Sequence, residues 1–160
     1  AGRLVRKRFV RLLLMPTIRA AIPSDGAAIR DMLTAAALPT ADLSASAVEF
    51  LVAETDGVLM GVVGLEPHAP SGLLRSLVVL PQARGLGVGA ALVSALEQHA
   101  CSRGLTRLVL LTETAEEFFT RLGYVSAERA SMPPDILATA EFRSLCPSSA
   151  ACLFRDIPSS

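Results

Sequence analysis

A mixed α/β fold, with a central sheet of six to seven strands and helices on both faces, follows from three observations. An apolar stretch from Leu73 to Val79 passes through the glycine-rich run Gln82 to Gly89 into Ala90 to Glu97, the order of strand, loop and helix. Asp56-Gly57 joins Phe50–Ala53 to Val58–Leu65, a strong signal for an antiparallel hairpin. Leu108 to Leu111 is an uninterrupted apolar run, as expected of a strand covered on both faces.

The elements can be taken in chain order. Thr17 to Ala21 reads as a first strand. Ser24 is a candidate N-cap for a helix whose apolar face holds Ile29, Met32 and Leu33. Leu38-Pro39-Thr40 breaks that helix, and residues 41–47 read as a loop or a short second helix. After the hairpin and the strand at Leu73, a helix runs from about Gly87 to Arg103, and Gly104 ends it in the manner of a C′ glycine. A strand from Arg107 to Thr112 follows, then a short helix from Ala115 to Leu122 closed by Gly123, and a strand at Val125 to Ala127. Pro133-Pro134-Asp135 opens one helical turn, and a last strand falls at Phe142 to Leu145 or at Ala150 to Phe154.

At 160 residues the chain is expected to form one domain. Its zero net charge is unevenly spread. Arg3, Arg6, Lys7, Arg8 and Arg11 crowd the first residues, whereas from Met15 onward ten basic residues face 15 acidic ones, a net of −5. We therefore expect residues 1–14 to be a basic extension, 15–156 to be the domain, and 157–160 to be a tail. The acidic body argues against a nucleic-acid surface, and Leu12-Leu13-Leu14 is too short to span a bilayer. Cys101, Cys146 and Cys152, with no recognisable secretion signal, suggest reduced thiols in a cytoplasmic protein.

The glycine run bares backbone N–H groups where a helix begins, and Arg84 adds a cation beside them, which suits a phosphate or pyrophosphate. A dinucleotide fold would place such a loop after the first strand, with an acid about 20 residues on. Here it lies past the middle of the chain, after a hairpin. A Walker-type loop needs a lysine, and the chain's single lysine is Lys7.

Gln82-x-x-Gly85-x-Gly87 and Thr112-x-x-Ala115-x-x-Phe118-Phe119-x-x-x-Gly123-Tyr124 together resemble two motifs of the GNAT N-acetyltransferase family, over about Ile18 to Leu153. The resemblance implies a GNAT fold with a splayed pair of parallel strands and acetyl-CoA lying between them. It places pyrophosphate on Arg84, Gly85, Leu86, Gly87, Val88 and Gly89, the pantetheine arm along Leu77, Val78 and Val79, and further donor contacts at Thr112, Thr114, Phe118 and Phe119. A closer similarity is to the arsenic-resistance branch, carried by Phe50 to Glu54, Val62 to Pro67, Leu74 to Val79, Leu111 to Thr114 and Glu141 to Pro147. Relatives in that branch acetylate glutamate-mimicking amines such as phosphinothricin and arsinothricin, so a small anionic amine is the acceptor implied. The family also commonly dimerises.

Acetyl transfer needs a neutral amine. An amine of pKa about 10.4 is under about one part in a thousand neutral at pH 7, whereas an α-amine near 8 is about a tenth neutral. A positioned base contributes roughly 10²–10⁴-fold. Where the family often carries a glutamate, this chain has Leu73, so Glu66 at a strand end is the first candidate base and Glu113 the second. Each has a plain alternative, a solvated strand end for Glu66 and a helix-start acid for Glu113. The family's thiolate-protonating tyrosine aligns with Phe119. Water or Thr114 could finish the proton transfer, and Tyr124 reads as a packing residue.

Arg75 stands in an apolar strand and must find a partner. That partner is either an acid group of the substrate, with Ser76 and Arg143 alongside, or a structural pair with Glu54 or Glu66. His68 reads as a loop histidine with a proton shuttle as the alternative. No metal ligand set is expected, and Cys146 and Cys152 read as buried thiols in preference to an arsenic(III) site. With no cysteine expected near the splayed strands, the acetyl group should pass directly to a small amine, with neither membrane nor nucleic acid as partner. Acetylation of a protein or peptide amine, or a non-catalytic acyl-CoA sensor, are the rival readings.

Overall fold

The computed structural model describes residues 16–158; the expected extension at 1–14 lies outside them. Seven strands form one mixed sheet in the order β1-β2-β3-β4-β5-β7-β6. They are β1 (Thr17–Ala20), β2 (Glu49–Thr55), β3 (Val58–His68), β4 (Ser71–Val79), β5 (Arg107–Thr112), β6 (Val125–Ser126) and β7 (Ala151–Asp156). The helices are α1 (Gly26–Ala35), α2 (Val88–Ser102), α3 (Glu116–Arg121) and α4 (Pro134–Leu137).

The β2–β3 turn holds Asp56 and Gly57 at φ 50° and 78°, the left-handed pair that a tight hairpin of this hand requires. Strand alternation then divides the core. On one face, Val63 and Leu65 of β3 and Leu108 and Leu110 of β5 pack against Leu92, Leu96 and Ala100 of α2 and Phe119 of α3. On the other, Val52, Val62 and Val78 meet Ile29, Met32 and Leu33 of α1, while Leu73 and Val109 meet Ile136 of α4. Leu33, Leu65, Leu96 and Leu108 are fully buried, each worth about 1.5–3 kcal/mol of transfer free energy.

Several local expectations change. Ser24 does not cap α1. It lies in a 3₁₀ turn, Pro23–Asp25, and the Asp25 carboxylate accepts from Ile22 N–H at 2.8 Å and from Arg19. That shorter loop is satisfied by an acid that also anchors β1. Residues 41–47 form turns and no helix. Phe142 to Leu145 lies in a π-turn, Glu141–Leu145, closed by Cys146 N–H on Glu141 O at 3.0 Å, so the last strand is the later of the two alternatives. The domain also runs past 156. Ile157 is buried, its N–H donates to Thr106 O, and Cys101 donates to Pro158 O, so the expected tail begins later than 157.

One irregularity opens the sheet. The parallel pairing of β4 with β5 covers Ser71, Gly72 and Leu73 opposite Arg107, Leu108 and Val109, and there it stops. On its other edge, β4 carries a bulge against Val62–Gly64, with Ser76 in the left-handed region at φ 61°. A bulge adds twist and bends its strand, so β4 turns away from β5 beyond Leu73. A non-glycine residue held there costs about 1–3 kcal/mol, which the surrounding pairing must offset.

Because three apolar side chains fix α1 to the sheet, Leu33→Ala should lower stability by about 2–5 kcal/mol. Removing the exposed Val58 side chain should change it by no more than about 0.5 kcal/mol. Urea unfolding with an unchanged slope checks both.

Candidate functional site

The divergence of β4 from β5 leaves a cleft of about 370 Å³. Its walls are the β4 segment Leu74 to Leu77, the β5 end from Leu110 into the Glu113–Thr114 loop, the turn after α1, and the π-turn region around Cys146. Beyond Leu73, β4 has no backbone partner on the β5 side, so Leu77, Val78 and Val79 border an open strand edge.

The glycine loop continues from that edge. Gly85 and Gly87 sit at φ 77° and 81°, a conformation that side chains with a Cβ rarely adopt, and this is why these two positions are glycine. Gly89 has a different reason: a Cβ there would lie 3.3 Å from the Phe118 ring. Ala91 N–H closes the first turn of α2 on Gly87 O, so the N–H groups of Val88, Gly89 and Ala90 have no acceptor within the helix. Arg84 is exposed, and its Nε donates to Val79 O at 3.1 Å, tying the loop back to the end of β4. A shallow pocket takes in Val79, Arg84, Gly87, Gly89, Phe118 and Arg121. Open amides, two cations and room for a bulky anion fit a pyrophosphate.

The floor of the cleft carries a cluster of charge. Arg75 is buried, with its side chain at zero exposure. Its Nη1 and Nη2 donate to the two oxygens of Asp42 at 2.5 and 2.8 Å, Nη1 also reaches Glu66 Oε1 at 3.1 Å, and Nε lies 3.2 Å from Glu141 Oε1. Three carboxylates from three separate segments thus share one guanidinium. Arg75 holds the Asp42 carboxyl below its usual range, chiefly by hydrogen bonding. For Glu141 burial dominates: against the pull of Arg75 and with Asp42 and Glu66 adding to it, the carboxyl is pushed up to about 7. Of the alternatives weighed for Arg75, the pair with Glu66 is present, whereas Glu54 bonds Arg19 instead.

The other candidates separate by location. Glu66 is buried, its Oε1 on Arg75 and its Oε2 2.6 Å from His68 Nε2, so its sequence neighbour His68 is part of the same cluster. Glu113 and Thr114 are exposed and border the cleft. The Thr112 hydroxyl accepts from Ala115 N–H at 2.9 Å and so shapes the entry to α3. Phe119 lines the cleft, and Ser76 lines it from the bulge. Arg143 is exposed and lies outside the cleft lining. Tyr124 is buried against Phe119, with its hydroxyl 3.5 Å from Glu97.

One expectation is corrected. Cys146 borders the cleft, where no cysteine was expected, because the π-turn carries it back over the splayed strands. Burial pushes its thiol up to about 12, which leaves almost no thiolate at neutral pH and makes it a poor nucleophile. Cys152 is buried in the α4-side cluster, and its thiol is raised too. Among the described residues no three His, Cys, Asp or Glu side chains are grouped to hold a metal ion, and no helix is long and apolar enough to cross a membrane.

Asp42 and Glu141 escaped the sequence reading. Asp42 sits in a turn-rich loop and Glu141 in a segment whose periodicity fits neither helix nor strand. The unpartnered Arg75 was the signal that buried acids had to converge on it.

Comparisons with known proteins agree with this geometry. Residues 46–126 match the family model described as an acetyltransferase (GNAT) domain. The amino-acid acetyltransferase of Ralstonia nicotianae is 35% identical over 88 residues, covering 54% of this chain and 20% of that protein. That of Neisseria meningitidis serogroup A is 32% identical over 87 residues, covering 53% and 20%. The chain thus spans about a fifth of the length of these relatives. Among solved structures, N-acetylglutamate synthase from Neisseria gonorrhoeae, complexed with coenzyme A and N-acetyl-glutamate, superposes with a TM-score of 0.76 at 24% identity, over 89% of this chain and 35% of that one. Rv2747 from Mycobacterium tuberculosis, in complex with CoA and NLQ, gives 0.76 at 26% identity, over 89% of this chain and all of that one. Splayed strands, glycine loop and family match coincide in one place, and the chain belongs to the GNAT acetyltransferase family, whose acyl donor is acetyl-CoA.

Proposed function

We propose that this chain transfers the acetyl group of acetyl-CoA directly to the α-amine of a small free amino acid. The observation that carries the reading is the end of β4–β5 pairing at Leu73, which leaves a strand edge leading from the glycine loop to a buried acidic cluster. Arg84 to Gly89 would hold the pyrophosphate, and Leu77 to Val79 would offer backbone groups to the pantetheine arm. When bound, acetyl-CoA supplies an activated carbonyl carbon and a thiol leaving group. Phe119 offers no hydroxyl to that sulfur, but a thiol of pKa about 8.5 departs readily without an obligate acid.

The amino-acid acceptor is supported by the named activity of the relatives and by the scale of the cleft. An α-amine also asks less of the site, since about a tenth of it is neutral at pH 7. The finer reading is a glutamate-like acceptor, phosphinothricin and arsinothricin included, with a role in arsenic resistance; it rests on the family resemblance. In that reading Arg75, with Ser76 beside it, receives the acceptor's acid group only by releasing Asp42, because both of its terminal nitrogens are engaged. A reducing cytoplasm suits the three free thiols.

Gly87→Glu should abolish acetyl-CoA binding by setting an anion in the pyrophosphate seat, while Gly87→Ala, which carries the same backbone strain without the charge, should weaken it far less. Calorimetry on both, with folding followed by circular dichroism, decides this, and equal binding by the Glu variant and the parent would refute the seat. Thiol release with free amino acids, phosphinothricin and peptides should be fastest on a free amino acid. Turnover of peptides alone would move the protein among the protein acetyltransferases, and tight donor binding without turnover would make it a sensor. Arg75→Ala should cost about 3–5 kcal/mol in urea unfolding, since Asp42 and Glu66 would remain buried without their cation.

A further inference from the structure

We propose that Glu141 is the general base of the acceptor site, and that Arg75, Asp42 and Glu66 are the residues that position it. The inference rests on the acetyl-transfer reading above. Of the three carboxylates around Arg75, Glu141 is the one that borders the cleft; Asp42 and Glu66 hold the guanidinium without lining it. Asp42 grips Arg75 with both oxygens, and Glu66 divides its oxygens between Arg75 and His68. Glu141 makes the longest of these contacts, through Oε1 to Arg75 Nε at 3.2 Å. It is therefore held in place by one oxygen on Arg75 and by the Cys146 thiol, without the bidentate grip of Asp42.

Its backbone supports the same role. A π-turn is rare and is found frequently at functional sites. Here the turn opens at Glu141 and returns the chain to the cleft at Leu145 and Cys146. The carboxylate is 5% exposed, so it is largely stripped of water and basic enough to act near neutrality. The charged groups around it are Arg75 from β4, Glu66 from β3 and Asp42 from the loop after α1, and the neutral Cys146 thiol hydrogen-bonds it from its own turn. Glu113 and Arg129 act on that thiol from farther out. The balance is acidic, which favours an acceptor arriving as an ammonium.

The Glu141 carboxylate takes one proton from the ammonium. The freed nitrogen lone pair forms the C–N bond to the thioester carbonyl carbon as the C–S bond breaks, its electron pair leaving on sulfur. The second nitrogen proton passes to that sulfur, giving the amide and the free thiol, and Glu141 returns its proton to water.

Three variants and two measurements test this. In the parent protein, kcat should rise with pH through about 7, where burial places the Glu141 carboxyl. Glu141→Gln should lose that limb and roughly 10²–10⁴-fold in kcat while still binding acetyl-CoA. Glu66→Gln should keep the limb but move it to lower pH, because a negative neighbour that raises the Glu141 pKa has gone. The second measurement needs neither donor nor turnover. The native carboxyl keeps its proton up to about 7 whereas an ordinary one releases it near 4.5, so its share of stability is complete below 4.5 and lost as pH rises through 7. Thermal unfolding of the donor-free protein should show that decline, and Glu141→Gln should flatten it.

The proposal is overturned if Glu141→Gln keeps the limb, if Glu66→Gln abolishes it, or if the decline in stability is the same with and without Glu141. Should Glu141→Gln fail to fold, Glu141→Asp replaces it, with a slower kcat and a retained limb expected and an unchanged kcat refuting the role. If free amino acids are not turned over but another amine is, the amino-acid reading fails and the base is judged on that amine. A protein that acetylates no amine overturns both.

Discussion

The site depends on one buried guanidinium. Arg75 carries the one charge on its strand into the sheet, and a lone buried cation would cost several kcal/mol. Its solution is to draw Asp42, Glu66 and Glu141 onto one point. These acids come from the loop after α1, from β3 and from the π-turn before β7, so a single residue ties three distant stretches of chain around the cleft. Ion pairing on this scale adds little net stability once desolvation is counted. What it fixes is position.

The cluster and the divergence of the strands are linked. Arg75 directly precedes Ser76, whose left-handed backbone marks the bulge. The bend that frees the β4 edge therefore falls at the residue that carries the charge. One local distortion yields both an open edge beside the glycine loop and an acidic floor at its far end. The bulge and the buried charge thus sit on adjacent residues, Ser76 and Arg75.

Departures from the family pattern also fall into place around Arg75. Leu73 stands where relatives often carry a glutamate, and it is fully buried in the α4-side cluster, where an ionised acid would be costly. Carboxylates stand instead on the neighbouring strand, in the loop after α1 and in the π-turn, as Glu66, Asp42 and Glu141. Phe119 fills the position of the family's tyrosine and packs edge-on against Tyr124, whose hydroxyl lies near Glu97 and takes no part in the cleft.

Local signals were enough for much of the fold. Asp56-Gly57 specified a hairpin because few residues tolerate its backbone, the glycine loop specified a strand-to-helix turn for the same reason, apolar runs bounded by turn residues located β2 to β5, and helical spacing of apolar residues located α1. The glycine loop proposed as the donor seat was legible too, since it is built from contiguous backbone. The charge cluster proposed as the acceptor site was not. Glu66 was visible as a strand-end acid and Arg75 as a cation in need of a partner, but Asp42 and Glu141 lie 33 residues before and 66 after Arg75, in segments without a regular period. The same holds for Ser76, whose left-handed backbone no glycine announced, and for Cys146, which only the π-turn brings to the cleft. Sequence by itself determined what short-range sterics and hydrophobic periodicity can encode. Tertiary structure decided which acids share Arg75, because burying a charge is settled by whatever partners the folded chain brings within about 3 Å.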